Sequence, residues 1–279
     1  MANSTVEVTA IVPVKDRSEV YKAARSLLTV PVRQLLVCDG GSTEPDCLAG
    51  LARLELLRNV SVWRWPQPQF NKAQLLNFGI RRATSEILLI SDADILWNRQ
   101  TVAQLVDWVR EGTRRVAGVA RVRETDSQAM ALRRPRYSYR CTLEGNRAQV
   151  SVISGGGGES KRPGCGLLCA RRSTFEGVGG YKERFRGWGW EDRDLLVRAE
   201  LLGATTAAFG EVTHLSHSDA VRNRFFDGRN PVETRDRNLT LSLTELSRGR
   251  LWGDLGSGRP WMPRFRELTV QPEGGKYPR

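Results

Sequence analysis

Two aspartates, Asp92 and Asp94, stand directly after a short apolar segment at residues 86–90. The isoleucines and leucines of this segment are typical of a strand buried on both faces. In an open α/β sheet, ligands bind at the carboxyl ends of such strands. Two neighbouring carboxylates need a cation between them, and their oxygens suit Mg²⁺ or Mn²⁺. The pattern therefore predicts a metal site that would hold a diphosphate, with a solvated turn as the alternative.

A second group of acids follows two tryptophans in the segment Gly187-Trp188-Gly189-Trp190-Glu191-Asp192. Glu191 and Asp192 begin a predicted helix, whose dipole stabilises carboxylates in the first turn. Ordinary helix capping would explain the acids but not the tryptophans between glycines. Aromatic rings beside a carboxylate are typical of a platform for a sugar or a base. We therefore predict that this segment belongs to a binding or catalytic site.

The only histidines of the chain are His214 and His217. Both follow a predicted strand at residues 205–209, and either imidazole would complete a metal site with Asp94. An incidental surface position is the alternative for each of them.

Net charge is +12, and 37 of the 43 basic residues are arginines. This excess indicates a polyanionic partner, such as nucleic acid, an acidic polymer or an anionic membrane, unless it reflects only the codon usage of a GC-rich genome. The sequence has no apolar run of membrane-spanning length and no signal-peptide pattern, so we expect a cytoplasmic location. The five cysteines lack the spacing of a zinc site and are expected to be buried free thiols.

Strand and helix patterns alternate from residue 8 to about residue 122, which predicts an α/β fold. The expected architecture is Rossmann-like, with a mostly parallel sheet flanked by helices. The glycines at 40–41 do not form G-x-G-x-x-G, so the dinucleotide-binding fingerprint is absent.

Several motifs, in their order along the chain, together resemble the GT-A glycosyltransferases: Asp39-Gly-Gly-Ser-Thr, Asp92-Ala-Asp94, Gly179-Gly180-Tyr181 and Gly187–Asp192. The segments Phe70–Asn77 and Gly187–Asp192 are similar to those of the β-1,4-galactosyltransferases and the bacterial chondroitin-polymerase-type transferases. Pro13-Val14-Lys15-Asp16-Arg17 stands where those enzymes carry a nucleotide loop. The resemblance covers about residues 8–220.

This resemblance implies a single GT-A domain at residues 1–245, with a nucleotide half at 8–122 and an acceptor and catalytic half at 164–220. Residues 124–163 are expected to form a mobile loop between the halves. That loop or the segment 218–240 would close over the donor. Residues 246–279 are expected to form a weakly ordered C-terminal extension.

The resemblance also implies an inverting transfer from a UDP-sugar with Mn²⁺ or Mg²⁺ as cofactor. Asp192 would be the catalytic base, and Glu191 would orient sugar hydroxyls. Asp94 would bind the metal, with His214, His217 and Asp92 as further ligands. The remaining donor-binding residues would be Pro13, Lys15, Asp16, Arg17, Asp39, Lys72, Asn77, Asp92, Trp188 and Gly189. Trp190 replaces a usual glycine and would narrow the site, so the sugar is not carried over from the family.

The acceptor would be a saccharide or, given the charge, a polyanion such as DNA with a hydroxymethylated base flipped into the site. Basic and aromatic residues alternate at Arg133–Arg140, as in proteins that bind single strands, although a solvated flexible loop is the favoured explanation of this segment. The rival hypothesis is a non-catalytic module that binds nucleotides or nucleic acid. The sequence predicts no oligomeric state.

Overall fold

The computed structural model describes residues 7–126, 136–155, 162–217, 224–226 and 230–272. The first half of the chain alternates between strands and helices, as predicted. Its elements are β1 Val8–Val14, α1 Val20–Leu27, β2 Gln34–Asp39, α2 Pro45–Glu55, β3 Val60–Arg64, α3 Lys72–Arg82, β4 Ile87–Ile90, β5 Ile95–Leu96, α4 Arg99–Arg110 and β6 Arg115–Glu124.

The second half supplies further strands and three helices among the described residues. They are β7 Arg136–Glu144, β8 Arg147–Gly155, β9 Arg162–Arg171, α5 Arg172–Gly177, α6 Glu191–Leu201, β10 Thr205–His214, α7 Pro231–Ser247 and β11 Glu267–Pro272. No helix in the described part of the chain has both the length and the apolar character that a membrane crossing requires.

One sheet of eight strands organises the domain, in the order β3-β2-β1-β4-β9-β6-β10-β5. The pairs β3–β2, β2–β1, β1–β4 and β6–β10 are parallel. Strand β9 runs antiparallel between β4 and β6, and β5 runs antiparallel to β10. The predicted mostly parallel α/β sheet is therefore confirmed, with antiparallel strands inserted in its second half.

Apolar cores cover both faces of this sheet. Every residue of β1 and β4 is buried, which explains their nearly unbroken apolar sequences. Helices α1, α2 and α4 pack on one face, whereas α3, α5 and α6 pack on the other. Cys38, Cys47 and Cys169 are buried free thiols, as predicted, whereas Cys141 and Cys165 are partly exposed.

The strand order brings the predicted site residues to one edge of the sheet. In the parallel pairing, Val14 at the end of β1 lies opposite Asp39 at the end of β2. The neighbouring strand β4 ends just before Asp92 and Asp94, on the same edge. His214 at the end of β10 lies opposite Ile95 of β5 and opposite Glu124 of β6. This register places His214 beside Asp94.

The structure corrects the prediction of a mobile loop over residues 124–163. Strands β7 and β8 within it form an antiparallel hairpin, and β11 adds to β8 in parallel to make a second, three-stranded sheet. Ala148 and Val150 of the hairpin are buried in the core that contains α6. Residues 127–135 and 156–161, with part of the Arg133–Arg140 segment, lie outside the described residues.

The C-terminal extension packs against the domain as far as residue 272. Leu251 and Leu255 are buried in the core, and β11 belongs to the second sheet. The packed part thus ends at residue 272 of the extension that was expected from residue 246 onward. Residues 273–279 lie outside the described residues.

Candidate active site and metal centre

Asp94, His214 and His217 form a compact cluster at the edge of the sheet. Asp94 Oδ2 lies 3.5 Å from His214 Nε2 and 3.2 Å from His217 Nε2. One ligand atom from each residue falls within 4.8 Å of the others. Burial raises the pKa of Asp94, but hydrogen bonds with both imidazoles and the nearby Arg17 charge hold it well below its usual range. The cluster thus joins an ionised oxygen ligand to two nitrogen ligands.

Glu124, which the sequence did not single out, orients His214. Its Oε2 atom lies 2.5 Å from His214 Nδ1, so the Nδ1 proton is donated to the carboxylate. The Nε2 atom then faces Asp94, and loss of its proton would offer a lone pair to a metal. Carboxylates commonly hold metal-binding histidines in this way. One carboxylate oxygen with two imidazole nitrogens is a donor set that suits Mn²⁺ and similar divalent ions.

A second cluster surrounds the ammonium group of Lys72 at the start of α3. Lys72 Nζ lies 2.9 Å from Asp92 Oδ1, 3.0 Å from Asp192 Oδ2 and 3.5 Å from Glu191 Oε1. Asp92 is therefore directed to Lys72, and its role as a further metal ligand stays a prediction. Lys72 brings the end of β4 and the start of α6 together.

The pKa of Asp192 depends on its burial and on the charged groups around Lys72. Burial, together with the charges of Glu191 and Asp92, raises the pKa of Asp192 to about 8, although the Lys72 charge opposes the shift. Burial lowers the pKa of Lys72, but the three carboxylates raise it well above its usual value. The site consequently contains a carboxyl group that exchanges its proton near neutral pH and a permanently charged ammonium.

Two acceptor atoms in this second cluster are buried without a hydrogen-bond donor among the described residues: Asp192 Oδ1 and Glu191 Oε2. A buried polar atom left in this state costs about 1–3 kcal/mol. Hydroxyl groups of a bound ligand would donate to both atoms. The arrangement therefore suits a polyhydroxylated ligand.

The predicted nucleotide loops are fastened to each other by their own polar side chains. Asp39 Oδ1 accepts from the amide and the hydroxyl of Ser42, at 2.9 and 2.6 Å. Asp16 Oδ1 accepts from the amides of Thr43 and Glu44, at 2.5 and 2.9 Å, which caps the region before α2. Asp16 thus fixes the backbone of the loop after β2, and its contact with the donor stays a prediction.

Lys15 and Pro13 extend this framework. Lys15 Nζ donates to the carbonyl groups of Gly40 and Gln67, at 3.2 and 2.5 Å. Pro13 is buried within β1 and pairs with Cys38. Among the polar residues of the loop 13–17, only Arg17 reaches the cluster of Asp94 and the two histidines. Its guanidinium lies 3.9 Å from Asp94 Oδ2.

The structure gives Asn77 a role different from the predicted donor contact. Asn77 is fully buried in α3, and its amide donates to the Tyr181 carbonyl and to Glu183. Its Oδ1 accepts from the Tyr181 amide at 2.9 Å. Asn77 therefore holds the Gly179–Tyr181 turn against α3.

Helix α7 holds the tryptophan segment in place, a contribution that the sequence did not reveal. The Thr234 hydroxyl bonds both the amide and the carbonyl of Trp188, at 3.2 and 3.1 Å. Asn238 donates to the Gly189 carbonyl at 2.7 Å. Trp188 itself remains partly exposed.

Trp190 does not narrow the site, contrary to the expectation from its unusual position. Its backbone is left-handed, with φ of 77°. The side chain is buried against Val152, Leu239 and Leu243. Trp190 is therefore a packing residue between α6, α7 and the hairpin.

A short piece of the segment after His217 lies against the nucleotide loops. The Phe225 ring centroid is 6.5 Å from that of Phe70, and Lys15 Nζ is 5.1 Å from the Phe225 ring. Arg224 pairs with Glu44. Residues 218–223 and 227–229 lie outside the described residues, and α7 occupies the rest of the predicted closing segment.

Two models of known families match the chain. The family model described as glycosyl transferase family 2 matches residues 9–157, just over half of the chain. The model described as the N-terminal domain of galactosyltransferase matches residues 157–218, which contain the tryptophan segment and both histidines. No curated protein matches the chain.

Similar solved structures share the fold. GalNAc-T7 with UDP, GalNAc and Mn²⁺ gives a TM-score of 0.61 at 12% identity, over 87% of this chain and 48% of its own. The mannosyltransferase PcManGT of Pyrobaculum calidifontis, in complex with GDP-Man and Mn²⁺, gives 0.57 at 19% identity, over 86% and 64%. S. aureus TarS 1–349 gives 0.54 at 12% identity, over 86% and 65%.

The chain spans less than two thirds of the length of each of these proteins. At such low identity the likeness shows the fold, which confirms the predicted GT-A architecture. Since the family model also matches more than half of the residues, the chain belongs to glycosyl transferase family 2.

Proposed function

We propose that this protein is a metal-dependent inverting glycosyltransferase that moves a sugar from a UDP-sugar to an acceptor hydroxyl. One observation carries the proposal: Lys72 contacts both Asp92 and Asp192. Through this contact a carboxyl group suited to act as a base lies beside the strand end that carries Asp94. A transferase needs these two functions side by side.

Asp94, His214 and His217 would hold the divalent ion, since their atoms and their support by Glu124 suit Mn²⁺. When bound, the ion would neutralise the charge that develops on the UDP leaving group. The complexes of GalNAc-T7 and of the mannosyltransferase both contain Mn²⁺ with a nucleotide or nucleotide-sugar.

The donor would lie along the edge formed by β1, β2 and β4. Asp39 and the loop 13–17 would surround the uridine. Arg17 would face the diphosphate, because a guanidinium pairs well with phosphate oxygens. Phe225, together with Phe70 and Lys15, would cover the nucleotide from the other side and limit the entry of water.

Asp192 would take the proton of the acceptor hydroxyl as its oxygen attacks the anomeric carbon. A bond forms between that oxygen and the anomeric carbon while the bond from the carbon to the UDP oxygen breaks. Attack from the face opposite UDP inverts the anomeric centre. Glu191 would accept a hydrogen bond from a sugar hydroxyl and so orient it, because its Oε2 is buried and lacks a donor among the described residues.

The acceptor would be a saccharide or a polyanion such as hydroxymethylated DNA. The net charge of +12 supports the polyanion, and the partly exposed Trp188, four residues before Asp192 in the chain, supports a sugar or a base. A non-catalytic module that binds nucleotides is the competing hypothesis.

The first test is a screen of UDP-sugars with Mn²⁺ against glycans and hydroxymethylated duplex DNA, followed by mass spectrometry. We expect one acceptor to gain the mass of one sugar residue, and slow UDP-sugar hydrolysis that EDTA abolishes. Asp192→Asn should reduce turnover by roughly 10²- to 10⁴-fold while UDP and Mn²⁺ binding persist.

Asp107→Asn is the matched control, because Asp107 is an exposed aspartate on α4. It should leave turnover unchanged. Equal turnover by Asp192→Asn and the wild type would reject Asp192 as the base. A lack of both transfer and hydrolysis with every UDP-sugar would favour the non-catalytic module.

A further inference from the structure

A groove of about 550 Å³ lies at the edge of the sheet opposite the candidate active site. It is formed by α5, the residues before β6 and the segment 259–264 of the C-terminal extension. Its lining includes Arg114, Arg259, Arg264, Glu176 and Trp261. Arg114 precedes the start of β6, whereas the far end of that strand is Glu124, which contacts His214.

The length of β6 separates the groove from the cluster of Asp94, His214 and His217. A strand rises about 3.3 Å per residue, so the nine steps from Arg115 to Glu124 span about 30 Å. The groove is therefore too distant to be part of the donor pocket. The arginines that line it therefore need an explanation other than donor binding.

The groove carries positive charge that the described part of the protein leaves uncompensated. Arg114, Arg259 and Arg264 form no ion pair with any carboxylate of the described residues, and the one acid of the lining, Glu176, lies 3.8 Å from Arg172. Other arginines on the same edge do have partners. Arg115 pairs with Glu111, and Arg171 pairs with Glu86.

Arg114 is held in position within the groove. Its guanidinium lies 4.4 Å from the centre of the Trp261 ring and donates to the Leu202 carbonyl at 3.1 Å. Trp261 packs on Gly177, where an added Cβ would come within 2.3 Å of the indole, and its amide donates to the Gly177 carbonyl. A guanidinium fixed by stacking keeps further donors for an anion and loses little freedom on binding.

We propose that this groove binds the phosphodiester backbone of a nucleic acid without regard to sequence. Guanidinium groups bind phosphate oxygens in a bidentate manner, and a polymer with a phosphate on every nucleotide offers a partner to each of the three arginines in the groove. The net charge of +12 would draw the polymer to the protein from a distance. This binding goes beyond the proposed sugar transfer and does not depend on it.

The test is the salt dependence of binding to fluorescein-labelled duplex DNA of about 20 base pairs, by fluorescence anisotropy in EDTA without sugar nucleotide, between about 50 and 200 mM NaCl. Each lost phosphate contact reduces the slope of log K against log salt by about 0.9. Arg259→Gln/Arg264→Gln should therefore lower the slope by about 1.8 and weaken binding at least tenfold. Adding Arg114→Gln should lower the slope by about 2.7 in total.

The double variant protects the test against misfolding, because Arg259 and Arg264 are exposed and make no hydrogen bond with the described residues. Arg25→Gln/Arg58→Gln is the matched control. Arg25 lies on α1 and Arg58 in the turn before β3. Both are exposed and make no ion pair with the described residues, and the change in net charge is the same. The control should keep the wild-type slope.

If the slope of log K against log salt were equal in the groove variant and the control variant, the proposal would be overturned. The binding would then come from charge spread over the surface. An absence of DNA binding in the wild type would also overturn it. So would groove-dependent binding of heparin or of phosphatidylserine vesicles with DNA binding unchanged, since the partner would then be an acidic polysaccharide or a membrane. Because the assay contains no sugar nucleotide, a failure of the proposed sugar transfer does not affect these results.

Discussion

At the scale of single residues, the high pKa of Asp192 predicts the pH dependence of the reaction. Below this pKa the carboxyl group carries a proton and cannot accept one from the acceptor. We therefore expect kcat/KM to rise with pH and to level off above about 8. The Lys72 charge lowers this pKa, so Lys72→Met should move the limb of the profile to higher pH.

Lys22→Met supplies the control for this shift, because Lys22 is an exposed lysine on α1. Its profile should coincide with that of the wild type. A limb that moves to lower pH in Lys72→Met, or that stays in place, would contradict the assignment of the titrating group to Asp192.

Gly166 makes room for the Lys72 and Asp192 pair. A Cβ at this position would lie 2.5 Å from Asp192 Oδ2 and 3.0 Å from Lys72 Nζ, so the carboxylate would have to move. Because misplacement of a reacting group by about 1 Å costs on the order of 100-fold, Gly166→Ala should reduce kcat by that factor. Steady-state kinetics of purified Gly166→Ala would measure the loss.

A matched alanine substitution separates this effect from a general effect of glycine replacement in the sheet. In Gly118→Ala the new Cβ meets its nearest neighbours at 3.8 Å, an ordinary contact. Its kcat should match that of the wild type. If Gly166→Ala retained full kcat, the position of the Asp192 carboxylate would not limit the rate.

At the scale of elements, the sequence predicted the first half of the fold because burial leaves a local signal there. Strands β1 and β4 are buried on both faces, so their apolar runs are visible without an alignment. Parallel strands end at one edge of a sheet, which is why Asp39 and Asp94 lie at the same edge in the structure. The role of Glu124 depends on the register between β6 and β10, which no local pattern encodes.

The hairpin β7–β8 had a signal that the glycine-rich run at 155–158 obscured. Apolar residues alternate in both strands, and Gly145-Asn146 separates them as a two-residue turn, with φ of 57° at Gly145. The anchoring of Trp188 by Thr234, in contrast, joins residues far apart in the chain. Such a contact follows from tertiary packing and leaves no trace in spacing.

Trp190 connects three elements, and its removal should weaken their packing. Its side chain is 6% exposed and fills the space between α7 and the hairpin. Trp190→Ala should destabilise the protein by about 3–5 kcal/mol. Alanine keeps the β-carbon at the left-handed φ, so the change reports mainly on packing.

Urea denaturation followed by circular dichroism would measure this loss. Leu56→Ala provides the comparison, because Leu56 is 86% exposed and should change stability by less than about 0.5 kcal/mol. Similar midpoints for Trp190→Ala and Leu56→Ala would show that the hairpin and α7 are held by other contacts.

At the scale of the whole molecule, the cluster of Asp94, His214 and His217 joins distant parts of the chain. Asp94 follows β4, His214 ends β10, and Glu124 ends β6, so one ion would link segments separated by more than a hundred residues. The Leu215 amide also donates to the Asp94 carbonyl at 2.8 Å. Occupation of the cluster should therefore stabilise the domain as a unit.

Mn²⁺ is accordingly expected to raise the melting temperature of the protein, because an ion that binds only the folded state at about 100 times its Kd adds about 2.7 kcal/mol of stability. For a chain of this size the rise should be about 5 °C in differential scanning calorimetry, and EDTA should reverse it. His217→Ala removes an imidazole that we propose as a metal ligand, with its Nε2 3.2 Å from Asp94, and should abolish the rise, whereas Asp107→Asn should retain it. An equal rise in His217→Ala would place the stabilising ion elsewhere on the protein, and the cluster would then lose its role as the metal centre.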